Sequence, residues 1–268
     1  MKKIFITGIC GFVGSSLANL FHKKKYLVSG IDNLSRNGSY RNYIKLKKSG
    51  INIYKGDLTD KSFIKTVLKN KIKCHHFIHC AAFTSVLDGT NNISPERLYE
   101  NNILSTINSL KLCYKFKSSF IFLSSSRIYN INYLNKLKYK FNIILKPLKN
   151  NLNGLASKGV KEDFSKLPPI SLYGSSKLIS ENIITEFCNL KKIHYVINRC
   201  GLIAGSGQLY KNDQGIISFW INSWKKNKKL YYIGFNGLGY QTRDCLHPND
   251  LAVLIGLQVK KIKKLKID

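Results

Sequence analysis

A tyrosine and a lysine four residues apart, Tyr173 and Lys177, have the types and the spacing for proton transfer. On a helix, residues four apart lie on one face, so the ammonium can approach the phenol. A nearby positive charge stabilises a phenolate and would lower the tyrosine pKa from about 10 toward neutrality. Such a phenol can remove a hydroxyl proton while hydride leaves the same carbon. The pair alone arises easily by chance, because the chain has 15 tyrosines and many lysines.

Three serines, Ser124, Ser125 and Ser126, follow an apolar run at residues 120–123. If that run is a strand, the serines lie at its carboxyl end, where ligands bind in open α/β sheets. A hydroxyl there can hydrogen-bond to a substrate oxygen and steady the tyrosine. Serines are also common in turns after strands, so this assignment depends on the tyrosine and the lysine.

Three glycines near the start of the chain, Gly8, Gly11 and Gly14, follow an apolar run and precede a helical pattern. In such a series the first glycine allows a sharp turn and the second leaves room for a pyrophosphate. The third lets helix and strand pack closely. The following helix start supplies N–H groups and positive potential for phosphates. The arrangement predicts a dinucleotide site.

Two carboxylates follow predicted strands and indicate which dinucleotide the site would bind. Asp32 ends the second strand, where a carboxylate can accept hydrogen bonds from both ribose hydroxyls of an adenosine. It would repel a 2′-phosphate, which favours NAD over NADP, although Arg36 nearby would soften that preference. Asp57 follows the third strand and has two interpretations, a contact to the adenine edge or an N-cap of the next helix.

The elements that must position these residues form a regular β–α alternation. Strands are predicted at residues 2–7, 26–31, 51–54, 76–79, 120–123 and 195–198, and helices at 15–25, 61–70, 95–115 and 173–191. This alternation with short connections predicts an α/β protein, a Rossmann-type doubly wound parallel sheet. Residues 1–200 are thus predicted to form an NAD-binding domain that carries the catalytic residues.

Two segments lie outside this alternation. Residues 130–168, rich in Lys, Asn and Leu, are predicted to be a surface excursion. Residues 201–268 are predicted to form a small substrate-binding lobe. Its predicted elements are a helix at 216–224, a strand at 230–233 and a closing helix from Pro248.

Charge is the unusual feature of the composition. Forty-four Lys and Arg against fourteen Asp and Glu give a formal net charge of +30. The lysines are spread over the whole chain and no nucleic-acid-binding motif accompanies them, so we interpret the charge as compositional drift. A positive field would still help to attract a phosphorylated ligand.

The seven cysteines show no paired spacing such as CxxC. We therefore expect reduced thiols in a cytoplasmic protein, and no metal site. No apolar stretch approaches the ~20 residues that a membrane helix needs. We expect neither a membrane nor a nucleic acid as partner.

Taken together, these motifs resemble the extended short-chain dehydrogenase/reductase family, which includes the NAD-dependent sugar-nucleotide epimerases and dehydratases. The resemblance is carried by Thr7-Gly8-x-x-Gly11-Phe12-x-Gly14, Asp32-Asn33-Leu34, Gly56-Asp57-Leu58, His79-Cys80-Ala81-Ala82, Asn102, Ser124-Ser125, Tyr173-x-x-x-Lys177, Arg199 and Arg243-Asp244. These motifs occur in the family's order, from Lys3 to about Leu254.

The resemblance implies a role for each matching residue. Ser125, Tyr173 and Lys177 would be catalytic, Ser125 being the serine four residues before Tyr129. NAD would be contacted by Gly8, Gly11, Phe12, Val13, Gly14, Asp32, Asn33, Asp57, Leu58, Ala81, Asn102, Ser124, Tyr173, Lys177 and Cys200. A nucleotide-sugar substrate would be held by Gln208, Gln241 and Arg243, and the arginine suits a diphosphate.

Within the family, the resemblance is nearest to the branch that inverts a CDP-sugar at carbon 2, on residues 32–38, 213–215 and 241–247. The implied reaction is transient oxidation of a sugar hydroxyl by bound NAD and re-reduction with inversion. Three alternatives stay open: dehydration or net dehydrogenation of a nucleotide-sugar, a non-catalytic NAD-binding relative, and a nucleic-acid binder. Ser126-Arg127 argues against dehydration, because 4,6-dehydratases carry an Asp-Glu pair there.

Three departures from the family pattern have consequences. Asn130 stands where the family usually has glycine, and Leu202 stands where many members have a polar substrate contact. The sequence ends at Asp268, where relatives continue, so the resemblance implies a shortened C-terminal substrate lobe and a more open pocket. It also implies a homodimer built through a helix pair that includes residues 173–191.

Overall fold

The structure is a computed structural model of the 268-residue chain. It describes residues 1–70, 72–84, 94–137, 139–140, 146–147, 153–156, 159–209, 215–232, 235–239 and 241–264. The strands in these ranges are β1 (Lys3–Thr7), β2 (Leu27–Asp32), β3 (Asn52–Lys55), β4 (His76–His79), β5 (Ser119–Ser125), β6 (Tyr139–Lys140), β7 (Lys146–Pro147), β8 (Leu155–Ala156), β9 (Gly159–Val160), β10 (Tyr195–Cys200), β11 (Leu202–Ile203) and β12 (Cys245–Leu246). The α-helices are α1 (Phe12–Lys23), α2 (Ser39–Lys48), α3 (Lys61–Lys69), α4 (Pro95–Tyr99), α5 (Ser105–Lys115), α6 (Ile131–Asn135), α7 (Leu172–Lys191), α8 (Ile216–Lys225) and α9 (Pro248–Lys261).

Six parallel strands form the central sheet, in the order β10-β5-β4-β1-β2-β3. From β1 the chain proceeds in one direction through β2 and β3, and then in the other through β4, β5 and β10. This order confirms the predicted Rossmann-type doubly wound fold. The carboxyl ends of all six strands lie at one edge, and ligands bind such sheets where the direction reverses, outside β1 and β4.

An apolar core on each face of the sheet holds the helices in place. One core joins α1 to α9, and the other joins α3, α5 and α7. Strands β1 and β5 are almost continuous apolar runs because both of their faces are covered. Although α9 lies beyond residue 200, its side chains Leu251, Ile255 and Val259 pack in the first core. The domain boundary at residue 200 stays a prediction.

Helix α2 is the element within the β–α alternation of residues 1–129 that the sequence analysis missed. Only Ser39 and Leu46 of its ten residues are buried, so its sequence carries no helical period of apolar residues. Strands β5 and β10 extend two residues further than predicted and pair at their ends, Cys200 beside Ser125. The strand predicted at 230–233 does not form at residues 230–232. Ile233, Asp213 and Gln214 lie outside the described residues.

The helix predicted at 95–115 is interrupted by a π-helical turn, Glu100–Leu104, between α4 and α5. Such turns are rare and are frequently found at functional sites. This turn contains Asn102, whose side chain is buried.

The side chain of Asn130 joins the two ends of the excursion at residues 130–168. The side-chain oxygen of Asn130 caps α6 by accepting from the Tyr133 amide at 2.8 Å. Its Nδ2 donates to the carbonyls of Leu167 and Pro168, at 2.7 and 3.0 Å, where the excursion returns. Glycine could make none of these bonds, so the asparagine at this family glycine position has a structural explanation.

Beyond β10 the chain exposes much of its surface. The short strands β11 and β12 pair in parallel, and α8, which lies between them in the chain, leaves Trp224 79% exposed. In the part of the chain that the structure describes, no helix has the length and apolar character to cross a membrane. All seven cysteines are unpaired thiols.

Candidate active site

A glycine cradle formed by Gly8, Gly11 and Gly14 connects β1 to α1. Gly8 has a φ of +66°, and a Cβ there would lie 2.8 Å from the backbone nitrogen of Ala81. A Cβ on Gly14 would collide with the carbonyl oxygen of Gly8, so this glycine allows α1 to approach the end of β1. Both glycines are therefore required by space, as the motif predicts.

Helix α1 begins at this cradle without a capping side chain. Gly11 is its N-cap residue, and no side chain accepts from the amides of the first turn. The amides of Phe12, Val13 and Gly14 thus have no partner inside the helix, which is the arrangement that binds phosphate groups.

Asp32 closes the cradle from the end of β2. Its carboxylate accepts from the backbone amides of Cys10 and Leu34, both at 2.8 Å. Burial raises the pKa of Asp32, and hydrogen bonds from the backbone oppose that rise. These bonds position the carboxylate beside the cradle, where the sequence analysis expects it to meet a ribose.

Asp57 is held by its neighbours on the same edge. It accepts from Asn33 Nδ2 at 2.7 Å and from the amide and hydroxyl of Thr59, each at 2.8 Å. Partial burial acts to raise the pKa of Asp57, but these hydrogen bonds outweigh that effect, so the pKa is lowered overall. The N-cap of α3 is Asp60, which accepts from the amides of Ser62 and Phe63. The N-cap interpretation of Asp57 was therefore wrong.

Tyr173 and Ser125 meet at the carboxyl edge of the sheet. Both are buried, and Ser125 acts on the phenol of Tyr173 in the direction that lowers its pKa. Ser171 caps α7 by accepting from the Gly174 amide at 3.0 Å, which sets the start of the helix that carries Tyr173. A side chain on Gly174 would collide with the carbonyl of Arg127, so this glycine lets the segment after β5 pack on α7.

Lys177 follows Tyr173 by one helical turn and is buried. Its Nζ donates to the carbonyl of Leu123 at 2.9 Å and lies 4.5 Å from the centre of the Phe122 ring. Burial lowers the pKa of Lys177 to about 8, with opposing contributions from Cys200, Cys80 and Glu181.

The expected lowering of the Tyr173 pKa by Lys177 was wrong. Burial raises the pKa of this phenol to about 12, and the proximity of Cys200 adds to the rise. The groups that act in the lowering direction are the Ser125 hydrogen bond and the positive charge of Arg127. Lys177 makes its own bond to the β5 backbone instead.

A hydrogen-bonded network lies next to the candidate catalytic residues on α7 and β5. Glu181 accepts from the hydroxyl of Ser124 at 2.5 Å and from the guanidinium of Arg199 at 2.9 Å. Arg199 also donates to the Tyr129 hydroxyl at 3.3 Å and to the carbonyl of Glu162 at 2.7 Å. The network ties α7 to the ends of β5 and β10, which are the elements that carry Ser125 and Cys200.

Asn102 connects the π turn to the loop after β4. Its Oδ1 accepts from the Phe83 amide at 2.8 Å, and its Nδ2 donates to the Phe83 carbonyl and to Ser176. The Asn102 side chain therefore holds the loop that follows Ala81 against α7, at Ser176, which is the residue before Lys177. Its contact to NAD stays a prediction.

The three predicted substrate residues are less buried than Ser125, Tyr173 and Lys177. Gln208 donates to the Ile203 carbonyl at 3.0 Å, and its buried Oε1 has no hydrogen-bond partner among the described residues. Gln241 and Arg243 are exposed. An Arg243 Nη1 donates to the neighbouring Thr242 carbonyl at 2.7 Å.

Sequence reasoning missed Glu181 and the position of Arg127. Glu181 follows Lys177 by four residues, and in a chain with fourteen acids this spacing on the catalytic helix was an available signal. Arg127 was noted only as a replacement for a carboxylate, although it belongs to the same short run as Ser125.

Comparison with known proteins gives the family. A model of the NAD dependent epimerase/dehydratase family matches residues 4–266. The chain belongs to this family, and its cofactor is NAD.

Individual relatives include both epimerases and dehydratases. A dTDP-D-glucose 4,6-dehydratase of Dictyostelium discoideum is 28% identical over 267 residues, which are 97% of this chain and 56% of that protein. A CDP-paratose 2-epimerase of Salmonella typhi is 25% identical over 276 residues, 98% of this chain and 76% of that protein. The structure of a Bacillus cereus UDP-glucuronic acid 4-epimerase with UDP-glucuronic acid and NAD has a TM-score of 0.72 and 25% identity, over 97% of this chain and 74% of that one. This chain thus spans little more than half the length of the dehydratase.

Proposed function

We propose that this protein is an NAD-dependent nucleotide-sugar epimerase. The observation that carries the proposal is the pair of buried side chains Ser125 and Tyr173 at the same sheet edge as the glycine cradle. A protein that only bound NAD would need no general base there.

Tyr173 takes the proton of the sugar hydroxyl onto its phenolate oxygen. Ser125 holds both the phenol and the oxygen of the reacting hydroxyl, so the proton has a short path. After the keto sugar has presented its other face, Tyr173 returns the proton to the oxygen. The chemistry is a redox cycle without net redox change.

Bound NAD would supply the reversible hydride acceptor that the sugar carbon needs. The residues that fit it are the cradle glycines, the uncapped amides of α1 and the carboxylate of Asp32. Lys177 would bind the nicotinamide ribose, and Ala81, Asn102, Ser124 and Cys200 would line the rest of the site.

The proposed substrate is a CDP-sugar that is inverted at carbon 2. Support comes from the similarity to the CDP-paratose 2-epimerase and from the segments at 32–38 and 241–247 that carry the resemblance. Gln208, Gln241 and Arg243 would hold its nucleotide diphosphate. We also propose a homodimer formed through α7, which light scattering tests. The division into two domains at residue 200 is part of the same proposal.

A 4,6-dehydratase is the second candidate, because one relative is named as such. Dehydration needs an acid and a base besides Tyr173 to remove the hydroxyl and a ring proton. Ser126-Arg127 supplies no carboxylate at the position where the family's dehydratases have two. This chemistry is therefore disfavoured.

The test is a screen of CDP-, UDP- and GDP-sugars by NMR for isomerisation, with the wild-type chain, Tyr173→Phe and Tyr114→Phe. Tyr114 is 52% exposed and serves as the matched control. We expect one inverted product, turnover reduced about 100-fold or more in Tyr173→Phe, and wild-type turnover in the control. A 4-keto-6-deoxy product, or equal turnover in all three chains, would refute the proposal.

A further inference from the structure

Two stretches of chain adjoin the candidate catalytic pair, and the distance between the pair depends on how they are joined. One stretch follows Ser125 at the end of β5, and the other leads to Tyr173 in the first turn of α7. They touch where the Arg127 carbonyl lies so close to Gly174 that a Cβ there would collide with it. A single contact leaves two segments free to pivot about it, so a second contact is needed to fix their relative position.

The second contact is made at Asn130. The stretch that leads to α7 contains Leu167-Pro168-Pro169, and its two prolines have no N–H to donate. Hydrogen bonds at these prolines therefore require donors from the other stretch. Asn130 Nδ2 donates to the carbonyls of Leu167 and Pro168, at 2.7 and 3.0 Å. The Ile131 amide donates to the carbonyl of Pro169 at 2.9 Å, so two neighbouring residues bind three consecutive carbonyls.

These contacts depend on the amide side chain at position 130. Asn130 is 3% exposed, and its Oδ1 accepts from the Tyr133 amide at 2.8 Å while its Nδ2 makes the two bonds to the returning chain. An aspartate has the same size and could keep the acceptor, but it has no N–H for the carbonyls when ionised. A glycine, which the resembled family usually has here, could supply neither.

We propose that Asn130 is a positioning residue, which fixes the start of α7, and with it Tyr173, relative to Ser125. Asn130 follows Ser125 by five residues, and Pro169 precedes Ser171, the N-cap of α7, by two. A shift at Asn130 is therefore transmitted through a few residues of backbone to both members of the pair. The chemical consequence rests on the proposed function, whereas the effect on α7 does not.

Hydrogen–deuterium exchange measured by mass spectrometry tests the effect on α7 without any substrate. Asn130→Gly and Asn130→Asp should both speed amide exchange at residues 174–177 about tenfold, because local opening of the helix start becomes easier. Ser118→Ala is the matched control, since it also removes a buried hydrogen bond, from Ser118 Oγ to the Cys74 carbonyl at 3.2 Å, but next to the other end of β5. Its exchange at residues 174–177 should equal that of the wild type.

Turnover tests the chemical consequence, with the substrate that the sugar-nucleotide screen identifies. Both Asn130 variants should lower kcat about tenfold while NAD affinity stays within about twofold of the wild type, because the base is displaced and the cradle is not.

Three results would overturn the inference. Faster exchange confined to residues 130–168 would mean that Asn130 holds only the excursion. Equal loss of protection in β1 and β5 would mean that it holds the whole domain. Unchanged kcat despite faster exchange in α7 would mean that the pair does not depend on this contact. If no sugar nucleotide turns over, the proposed function fails, and the exchange rates still decide whether Asn130 fixes α7.

Discussion

The cofactor side and the substrate side of the site are built differently. On the cofactor side, Asp32 and Asn102 are buried, and the protein itself provides their hydrogen-bond partners. On the proposed substrate side, which is the chain beyond β10, Arg243 is exposed and Trp224 is 79% exposed. We therefore expect stability and cofactor binding to depend on the first region and, if the proposed function holds, substrate selectivity to depend on the second. Substitutions should therefore sort by region.

The largest effect on stability is expected from the buried network. Glu181→Ala removes the partner of Arg199, whose side chain is 19% exposed, and leaves a largely buried charge without compensation. We expect the free energy of unfolding to fall by about 3 kcal/mol in urea titrations followed by circular dichroism. Glu186→Ala, an exposed glutamate on the same helix, should change it by less than about 0.5 kcal/mol. Equal losses in the two variants would contradict the assignment.

A smaller loss is expected at the cradle. In Gly14→Ala the new methyl group collides with the Gly8 carbonyl, so α1 must shift. We expect about 1–3 kcal/mol of destabilisation and weaker NAD binding, measured by thermal unfolding and by fluorescence titration. Gly256→Ala on α9 meets only Lys24 Nζ at 3.9 Å and should bind NAD normally while gaining about 0.5–1 kcal/mol. Normal NAD affinity in Gly14→Ala would contradict the assignment of the glycine cradle to NAD binding.

The pH dependence of kcat/KM tests which groups set the pKa of the Tyr173 phenol, which lies between the two sides. The groups that act on its phenol are Ser125, Arg127 and Cys200, while Lys177, one turn further along the same helix, bonds to the Leu123 carbonyl. Because burial raises the phenol pKa to about 12, kcat/KM should rise with pH through the alkaline range. Removing the positive charge in Arg127→Gln raises that pKa further, so the rising limb should move to higher pH. We expect about threefold more loss at neutral than at high pH; a variant profile parallel to wild type would contradict this.

The smallest effect is expected on the outer face of the substrate side. Trp224→Ser replaces an exposed side chain, so the free energy of unfolding should change by less than about 0.5 kcal/mol. Thermal unfolding checks this directly. A loss comparable to that of Glu181→Ala would show that the indole is packed, and the contrast between the regions would disappear.

The sequence predicted the cofactor side well because its constraints are local. A glycine at a positive φ, a helix start without a cap and a carboxylate at a strand end all act within a few residues of chain. The same reasoning failed for α2, which buries a single leucine, and for Asp57, because a side chain that follows a strand can bond in several ways.

For the candidate catalytic residues, the sequence predicted that Tyr173 and Lys177 share a helix, but it did not predict their electrostatics. Their spacing alone was enough to pair Tyr173 with Lys177. The pKa of the phenol, however, depends on burial and on Arg127, which comes near Tyr173 only through tertiary packing. Likewise, Glu181 and Arg199 are 18 residues apart, and their pairing depends on the docking of α7 against β10. Long-range packing of this kind leaves no period in the sequence.

The central claim is that hydride leaves the sugar and returns to it within one site. The most direct test uses a CDP-sugar deuterated at carbon 2, followed by NMR and mass spectrometry of the product. The account predicts an inverted carbon 2 that retains the deuterium, with no label in solvent or in free nicotinamide. Loss of the label to water, or its release on free reduced cofactor, would contradict it.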